Sequence, residues 1–376
     1  MRKATVLSIS VFALSSALFS PGGNAQQSSD APAAKASAQQ VELPVVVRDK
    51  KGAIVTSLQK GDLSLTQDGR PQTIQSLTTA GSEPLRVGLL VETSRSMSGA
   101  MEAERKAATN FVDLVLPADA GAAGKDEAFL LHFDREVELL EDFTSSRDKL
   151  HQEIEDMGPT SKQRDDSQGP ETTGDDRGSE RNRRGGPQLY DAIYLAADEL
   201  MKNKDGRKVL VVFSNGADHG SKETLNDAVD AADRAGLAVY TIYFKGEPER
   251  SYGSDSYPGS RRGGIGYPGG GGGYPGGYPG GGGRRQPEPT SSSGLDGRKI
   301  MQQIAARTGG HAFEAKHTGD LDPIYKLIND ELRAEYVLTF TPDKPDNEGG
   351  FHKVAVTAGN KDWTVSTREG YYAPEK

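Results

Sequence analysis

The sequence predicts an α/β protein: a doubly wound, mostly parallel sheet with N- and C-terminal β-strand extensions. Three observations lead there. Near-continuous apolar runs such as LRVGLLVE, KVLVVFSNG and AVYTIYF alternate with amphipathic stretches through the middle of the chain, the pattern of strands covered by helices on both faces. Shorter segments of alternating apolar and polar residues stand before and after that region and read as strands of a second unit. The 376 residues suffice for more than one core.

In chain order, residues 1–25 read as a signal peptide. Arg2 and Lys3 precede an apolar stretch over 4–19, then Pro21 and a small-residue site with cleavage after Ala25. The apolar run is short for a bilayer span. The expected product is exported to the periplasm, the cell surface or the medium, with no transmembrane segment once the signal is removed. Residues 26–40, rich in Ala, Ser and Gln, read as a disordered leader. Residues 41–82 hold VELPVVVRD, DLSLTQDG and QTIQSLTTA, separated by KKG and DGRPQ turns, a β unit with too few strands to stand alone.

Residues 85–335 carry the alternation. LRVGLLVE is a strand, and a helix follows over 100–116 with Phe111, Leu114 and Val115 on one face. EAFLLHFD and VELLEDFT form a hairpin, and LYDAIYLAADELM is a helix. After the strand KVLVVFSNG, the stretch SKETLNDAVDAADRAG is a helix capped by Ser221 and stopped by Gly236. Strand AVYTIYF, helix DGRKIMQQIAARTGG, strand HAFEA and a helix over 320–335 complete the region. Residues 336–374 return to β with YVLTFTP, FHKVAVTA and WTVSTREGYY, read as one strand each. Strands at both ends suggest a single β-sandwich built from both termini, with the α/β region inserted. Two separate β appendages are the alternative.

Two inserted segments are of another kind. Residues 160–186 have no aliphatic or aromatic side chain and cannot build a core. Residues 251–294 place Tyr257, Tyr267, Tyr274 and Tyr278 in Tyr-Pro-Gly units among glycine tracts and Arg-Arg pairs. Tyr and Arg are common interface anchors, so these four tyrosines are partner-binding candidates; a surface insertion without a role is the alternative. The GxGxxG at Gly264 lies in a Pro/Gly background where no helix can start, so it is no dinucleotide loop.

Composition excludes several functions. There is no cysteine, hence no disulfide, thiolate metal site or Cys nucleophile. A net charge of −9 without a concentrated basic stripe argues against nucleic acid. No HExxH, GxSxG or GxxxxGK[ST] is present, and the six histidines are scattered, as isolated surface or edge residues would be. The carboxylates Asp343, Asp346 and Glu348 with Asn347 read as a hairpin loop as readily as a calcium site. No enzyme is expected.

The residues that stand out are in LLVETSRSMSG: Glu92, Ser94 and Ser96 at the end of an apolar strand. In a doubly wound sheet ligands bind beyond the strand carboxyl ends where strand order reverses. A reversal between the strands ending at Glu92 and at Ser214 would bring Asn215 to the same crevice, with the GGPQ stretch before LYDAIYLAA beside it. With these motifs, residues 85–335 resemble a von Willebrand factor type A (VWA) domain. The flanks RDKKGAIVTSLQKGDLSLTQDGRPQTIQ and REGYYAPE resemble the VWFA-related family of exported acidobacterial proteins.

The resemblance implies a metal-ion-dependent adhesion site of the pattern Asp-x-Ser-x-Ser, a Thr before the third helix and an Asp after the fourth strand. Laid on this chain, those positions fall at Glu92, Ser94, Ser96, Pro187 and Asn215. The serines are kept, the first acid is longer by a methylene, the threonine hydroxyl is gone and the last carboxylate is an amide. Magnesium wants near-octahedral oxygens at about 2.0–2.1 Å, so the expectation is a degenerate site with no cofactor, or at most weak Mg2+ or another divalent cation. Asp191 or Asp218 could supply a replacement carboxylate. Without metal, Ser94 and Ser96 are expected to bond loop backbone, and Asp218 to be a loop acid ahead of the Ser221 cap. The function this implies is exported protein–protein or cell-envelope binding. A structural envelope component is the alternative, or adhesion through a rescued metal site.

Overall fold

In the computed structural model, residues 40–81, 83–117, 126–158, 186–246, 296–343 and 349–373 are described. The signal peptide, the leader, nearly all of both insertions with their four tyrosines, and Asp346, Asn347 and Glu348 lie outside them.

The described residues between 85 and 335 form the α/β body. Its strands are β5 (Leu85–Glu92), β6 (Glu127–Phe133), β7 (Val137–Thr144), β8 (Arg207–Ser214), β9 (Leu237–Phe244) and β10 (Ala312–Ala315). They lie in the order β10-β9-β8-β5-β6-β7, parallel throughout except for the antiparallel hairpin β6–β7. This is the predicted doubly wound sheet, and strand order reverses between β5 and β8, the condition for the two loops to share a crevice. One face is covered by α1 (Met101–Val115), α2 (Arg147–Asp156) and α6 (Leu321–Ala334), the other by α3 (Leu189–Leu195), α4 (Leu225–Ala235) and α5 (Gly297–Thr308). Leu85, Val87, Leu89 and Val91 face the first layer and Leu90 the second, so one apolar run serves two cores. Gly88 leaves room in that second layer: a Cβ there would collide with the Phe129 ring and Leu210.

Several local expectations are corrected. Leu114 does not share the buried face of α1: it is exposed, while Glu104, Ala108, Phe111, Val112 and Val115 are buried, because three residues from Phe111 already overshoots a narrow stripe. Helix α4 is capped by Thr224 and not by Ser221. The Thr224 hydroxyl accepts from Asp227 N and the Asp227 carboxylate accepts from Thr224 N, a reciprocal capping box. The helix read from LYDAIYLAADELM is α-helical only to Leu195 and continues as a π-helix over Ala196–Met201.

The terminal strands are β1 (Val41–Asp49), β2 (Leu63–Gln67), β3 (Arg70–Gln72), β4 (Ile74–Thr79), β11 (Tyr336–Phe340), β12 (Phe351–Ala358), β13 (Trp363–Ser366) and β14 (Gly370–Tyr372). Two sheets, β13-β1-β11-β4 and β14-β12-β2-β3, each mix strands from both chain ends. They share one core that includes Leu43, Val45, Leu65, Leu338, Phe340 and Val356. WTVSTREGYY is therefore two strands in two sheets. It turns at 367–369 because Glu369 N donates to Arg307 O at the end of α5, while Glu369 O accepts from Val354 N.

The body is inserted through two connections side by side. Ala80 N donates to Glu335 O at 2.9 Å, and β4 pairs antiparallel with β11 at Thr79 and Tyr336. This neck sits at the start of β5, so the sandwich lies at the amino ends of the parallel strands. Among the described residues no helix is long and apolar enough to cross a membrane.

Candidate functional site

At the carboxyl ends of β5 and β8 the structure brings Glu92, Ser94, Ser96 and Asn215 together. The Glu92 side chain is wholly buried. One carboxylate oxygen accepts from the Ser94 hydroxyl; the other accepts from Ser214 Oγ at 2.7 Å and from Asn215 N at 3.0 Å. Ser94 Oγ lies 2.8 Å from Ser96 Oγ, and Asn215 Nδ2 donates to Ser96 Oγ at 2.9 Å. The serines thus bond side chains rather than the expected loop backbone.

The proton positions in this ring can be assigned. Ala217 N, which can only donate, lies 2.7 Å from Asn215 Oδ1, so the amide oxygen faces Ala217 and its NH2 faces Ser96. If the Ser94 proton goes to Glu92, the single Ser96 proton must go to Ser94. The relay then runs Asn215 Nδ2–H to Ser96, Ser96 to Ser94, Ser94 to Glu92. Every donor converges on the carboxylate. Burial pushes the Glu92 pKa up, and the charge of Asp134 adds to that; the bonds from Ser94, Ser214 and Asn215 N pull it back.

The remaining predicted positions do not join the ring. Pro187 is buried and has no side-chain oxygen; its carbonyl accepts from His219 N, and Gln188 N donates to Asp134 O. Asp191 and Asp218 are engaged elsewhere. The Asp191 carboxylate accepts from Lys222 N and Glu223 N, both at 2.9 Å. Asp218 accepts from Tyr190 N at 3.0 Å and from the Ser221 hydroxyl at 2.5 Å, while Ser221 Oγ accepts from Asp191 N at 3.1 Å, so Ser221 caps no donor of α4. The two acids clasp the start of α3 to the 218–223 loop. Replacing Asp191 by alanine is expected to cost about 1–3 kcal/mol. Hydrogen exchange should quicken at Lys222 and Glu223, which a ligand role alone would not cause.

Both insertions leave from other connections, α2–α3 and β9–α5, but their described ends abut the loops that carry the site. Gly246, at φ +69°, sits where a Cβ would meet Ser96 O at 2.8 Å. Gly216, at φ +72°, lies so close to Gly297 that a Cβ would strike its carbonyl. The chain leaves the described body just after Gly246 and re-enters at Asp296, so both ends of that segment pack against Ser96 and the Asn215–Gly216 turn. Gly186, the last residue of the other insertion, packs against His219.

One further polar string was invisible in the sequence. His132, read as a surface or edge residue, is buried; its Nδ1 is 3.4 Å from Thr93 Oγ1 and its Nε2 3.1 Å from a Glu138 carboxylate oxygen. The order hydroxyl, imidazole, carboxylate suits a nucleophile, but Thr93 is fully buried and offers a substrate no approach. Among the described residues no group of three or more His, Asp or Glu is placed to hold a metal.

No family model matches the chain, and no curated protein does. Solved structures similar to it include an aerotolerance-related membrane protein from Bacteroides fragilis, at 15% identity over 66% of this chain and 98% of that one, TM-score 0.39. They include the vWF domain of the type V pili tip protein Mfa5 from Porphyromonas gingivalis, at 12% identity over 68% and 97%, TM-score 0.39. Proximal thread matrix protein 1 from the mussel byssus, with a zinc-occupied MIDAS motif, matches at 10% identity over 72% of this chain and 50% of that one, TM-score 0.43.

Proposed function

We propose that this chain is an exported, non-enzymatic interaction module. In this reading a von Willebrand factor type A body stands on a β-sandwich and binds a protein or cell-envelope partner through its strand-end face, without a metal ion. The observation that carries it is the closed ring at Glu92. The donor set does not fit a hard dication: the sole carboxylate of the ring already accepts at both oxygens, both hydroxyls are engaged, and Asn215 turns donor hydrogens toward the centre. The amide thereby takes over, with neutral donors, the task of tying the two loops together.

The insertions supply the second support. Their described ends meet the site loops, and Tyr-, Gly- and Pro-rich sequence of the kind that holds Tyr257, Tyr267, Tyr274 and Tyr278 suits recognition. Deleting residues 251–294 is expected to leave the melting temperature unchanged and to abolish co-sedimentation with cell-envelope fractions. Unchanged co-sedimentation would favour the structural-component reading.

The metal test is calorimetric and thermal titration with magnesium, manganese and calcium. The natural protein is expected to show no saturable response. The triple variant Glu92→Asp, Pro187→Thr, Asn215→Asp, run beside it, should gain stability with metal. Tight binding by the natural protein would overturn the metal-free reading.

A further inference from the structure

At the opposite end of β8 from the Glu92 ring, a cavity of about 260 Å³ lies between the body and the sandwich. Pro44 and Val337 from the sandwich and Val209, Leu237 and Tyr240 from the body give it apolar walls. Arg207, Lys208 and Arg368 also line it, and their partners are unusual. Only Arg207 has a carboxylate in ion-pair contact, Glu335 at 2.9 Å, and its buried Nε has no acceptor.

Lys208 Nζ donates to two neutral carbonyls, Ala235 O at 3.0 Å and Lys202 O at 3.3 Å. Arg368 donates to Glu42 O, and its Nε is buried without an acceptor. Glu42 and Glu83 line the cavity too, but both are exposed, where water screens them. Asp233 is outside the lining; its charge reaches Arg368, yet burial pushes its own pKa up to about 7. Lys208 and Arg368 are half-buried, and burial lowers the pKa of each, with the charge of Asp205 opposing at Lys208 and those of Asp233 and Glu42 at Arg368.

We infer that this cavity binds a small organic carboxylate, its charge taken by Lys208 and Arg368 and its apolar part lying against Val209, Leu237 and Val337. A neutral apolar ligand would leave the cations as they are, and a fully hydrated ion would gain nothing from the apolar walls. Because the walls come from both units, an occupant would fasten the sandwich to the body and raise the stability of the whole chain. The site is independent of the strand-end face.

The test uses the full chain with benzoate and succinate as probes and benzamide as the neutral control. Both carboxylates are expected to raise the melting temperature saturably and benzamide to leave it unmoved. Lys208→Met should weaken the response about tenfold, as the loss of one charged contact predicts, whereas Lys208→Arg should keep it. Amide NMR on the natural chain reads the location whether or not the variant folds: Gly206 and Gly236, which line the cavity, should shift. No response to either carboxylate, or shifts at Gly216 in place of these two, would overturn the inference. So would a response undiminished in a folded Lys208→Met protein.

Discussion

Replacing Glu331 by glutamine is expected to lower stability by about 3–5 kcal/mol, the usual result of removing one partner of a buried ion pair. Glu331, on α6, is 1% exposed and takes Arg48 of β1 in a direct salt bridge, the body holding the sandwich. Arg48 otherwise donates only to Gly52 O, and its buried Nε has no acceptor, so the variant leaves a guanidinium uncompensated. His311 Nδ1 lies 3.2 Å from the same carboxylate but cannot substitute. Burial, with the adjacent Arg48 charge, drives its pKa down to about 4, which makes it neutral near pH 7. The double variant Arg48→Met, Glu331→Leu removes both charges and should recover most of the loss. Urea unfolding of the three proteins decides the matter: a double variant no more stable than Glu331→Gln would mean that packing, not charge, is at stake.

Raising the pH from about 5 to about 9 is expected to weaken the fold through Glu104. This carboxyl, on α1, is wholly buried in the first core; Tyr325 of α6 donates to one oxygen and the other has no partner. Burial raises its pKa to about 8, and the Tyr325 bond offsets only part of that. A group with a raised folded pKa gives its full stability below the unfolded value, here near 4.5, and loses it as pH climbs through about 8. At about 1.4 kcal/mol per unit the window is worth on the order of 4 kcal/mol. Asp233, raised to about 7, acts with the same sign, so the diagnostic is the difference between the natural protein and Glu104→Gln. That difference should grow with pH across the window in favour of the variant; parallel profiles would show that Glu104 is not the titrating group.

The doubly wound body was legible because its strands are buried on both sides and so are written as uninterrupted apolar runs. Strand order was less legible: the reversal between β5 and β8 was only a condition for bringing Glu92 and Asn215 together, and the pairing of β5 with both β6 and β8 supplies it. Boundaries were less legible where two residues could do one job. Ser221 and Thr224 are both competent cap types; the helix starts at Leu225, directly after Thr224, and Ser221 Oγ accepts instead from Asp191 N. The break in WTVSTREGYY had no turn residue before Gly370 to announce it; the backbone of Arg307, on another element, makes the corner. At the site, the identities of Glu92, Ser94, Ser96 and Asn215 could be read directly. Their mutual saturation could not, because it depends on which way an amide faces, and Ala217 N settles that. The roles of Asp191 and Asp218 were hidden likewise, since nothing in sequence separates a clasp from a ligand.

The neck described above also bears on the order in which the molecule assembles. Val41 pairs with Phe340, about 300 residues later, and β1 has no other neighbours than β11 and β13 among the described strands. During synthesis β1 must therefore wait, unpaired, for the last strands, while the body can already close on its own near-neighbour contacts. Contacts so distant along the chain form late because loop closure must come first. The sandwich is then the final lock: loss of residues 336–373 would leave a folded body trailing β1 without either of its partners, an association-prone edge.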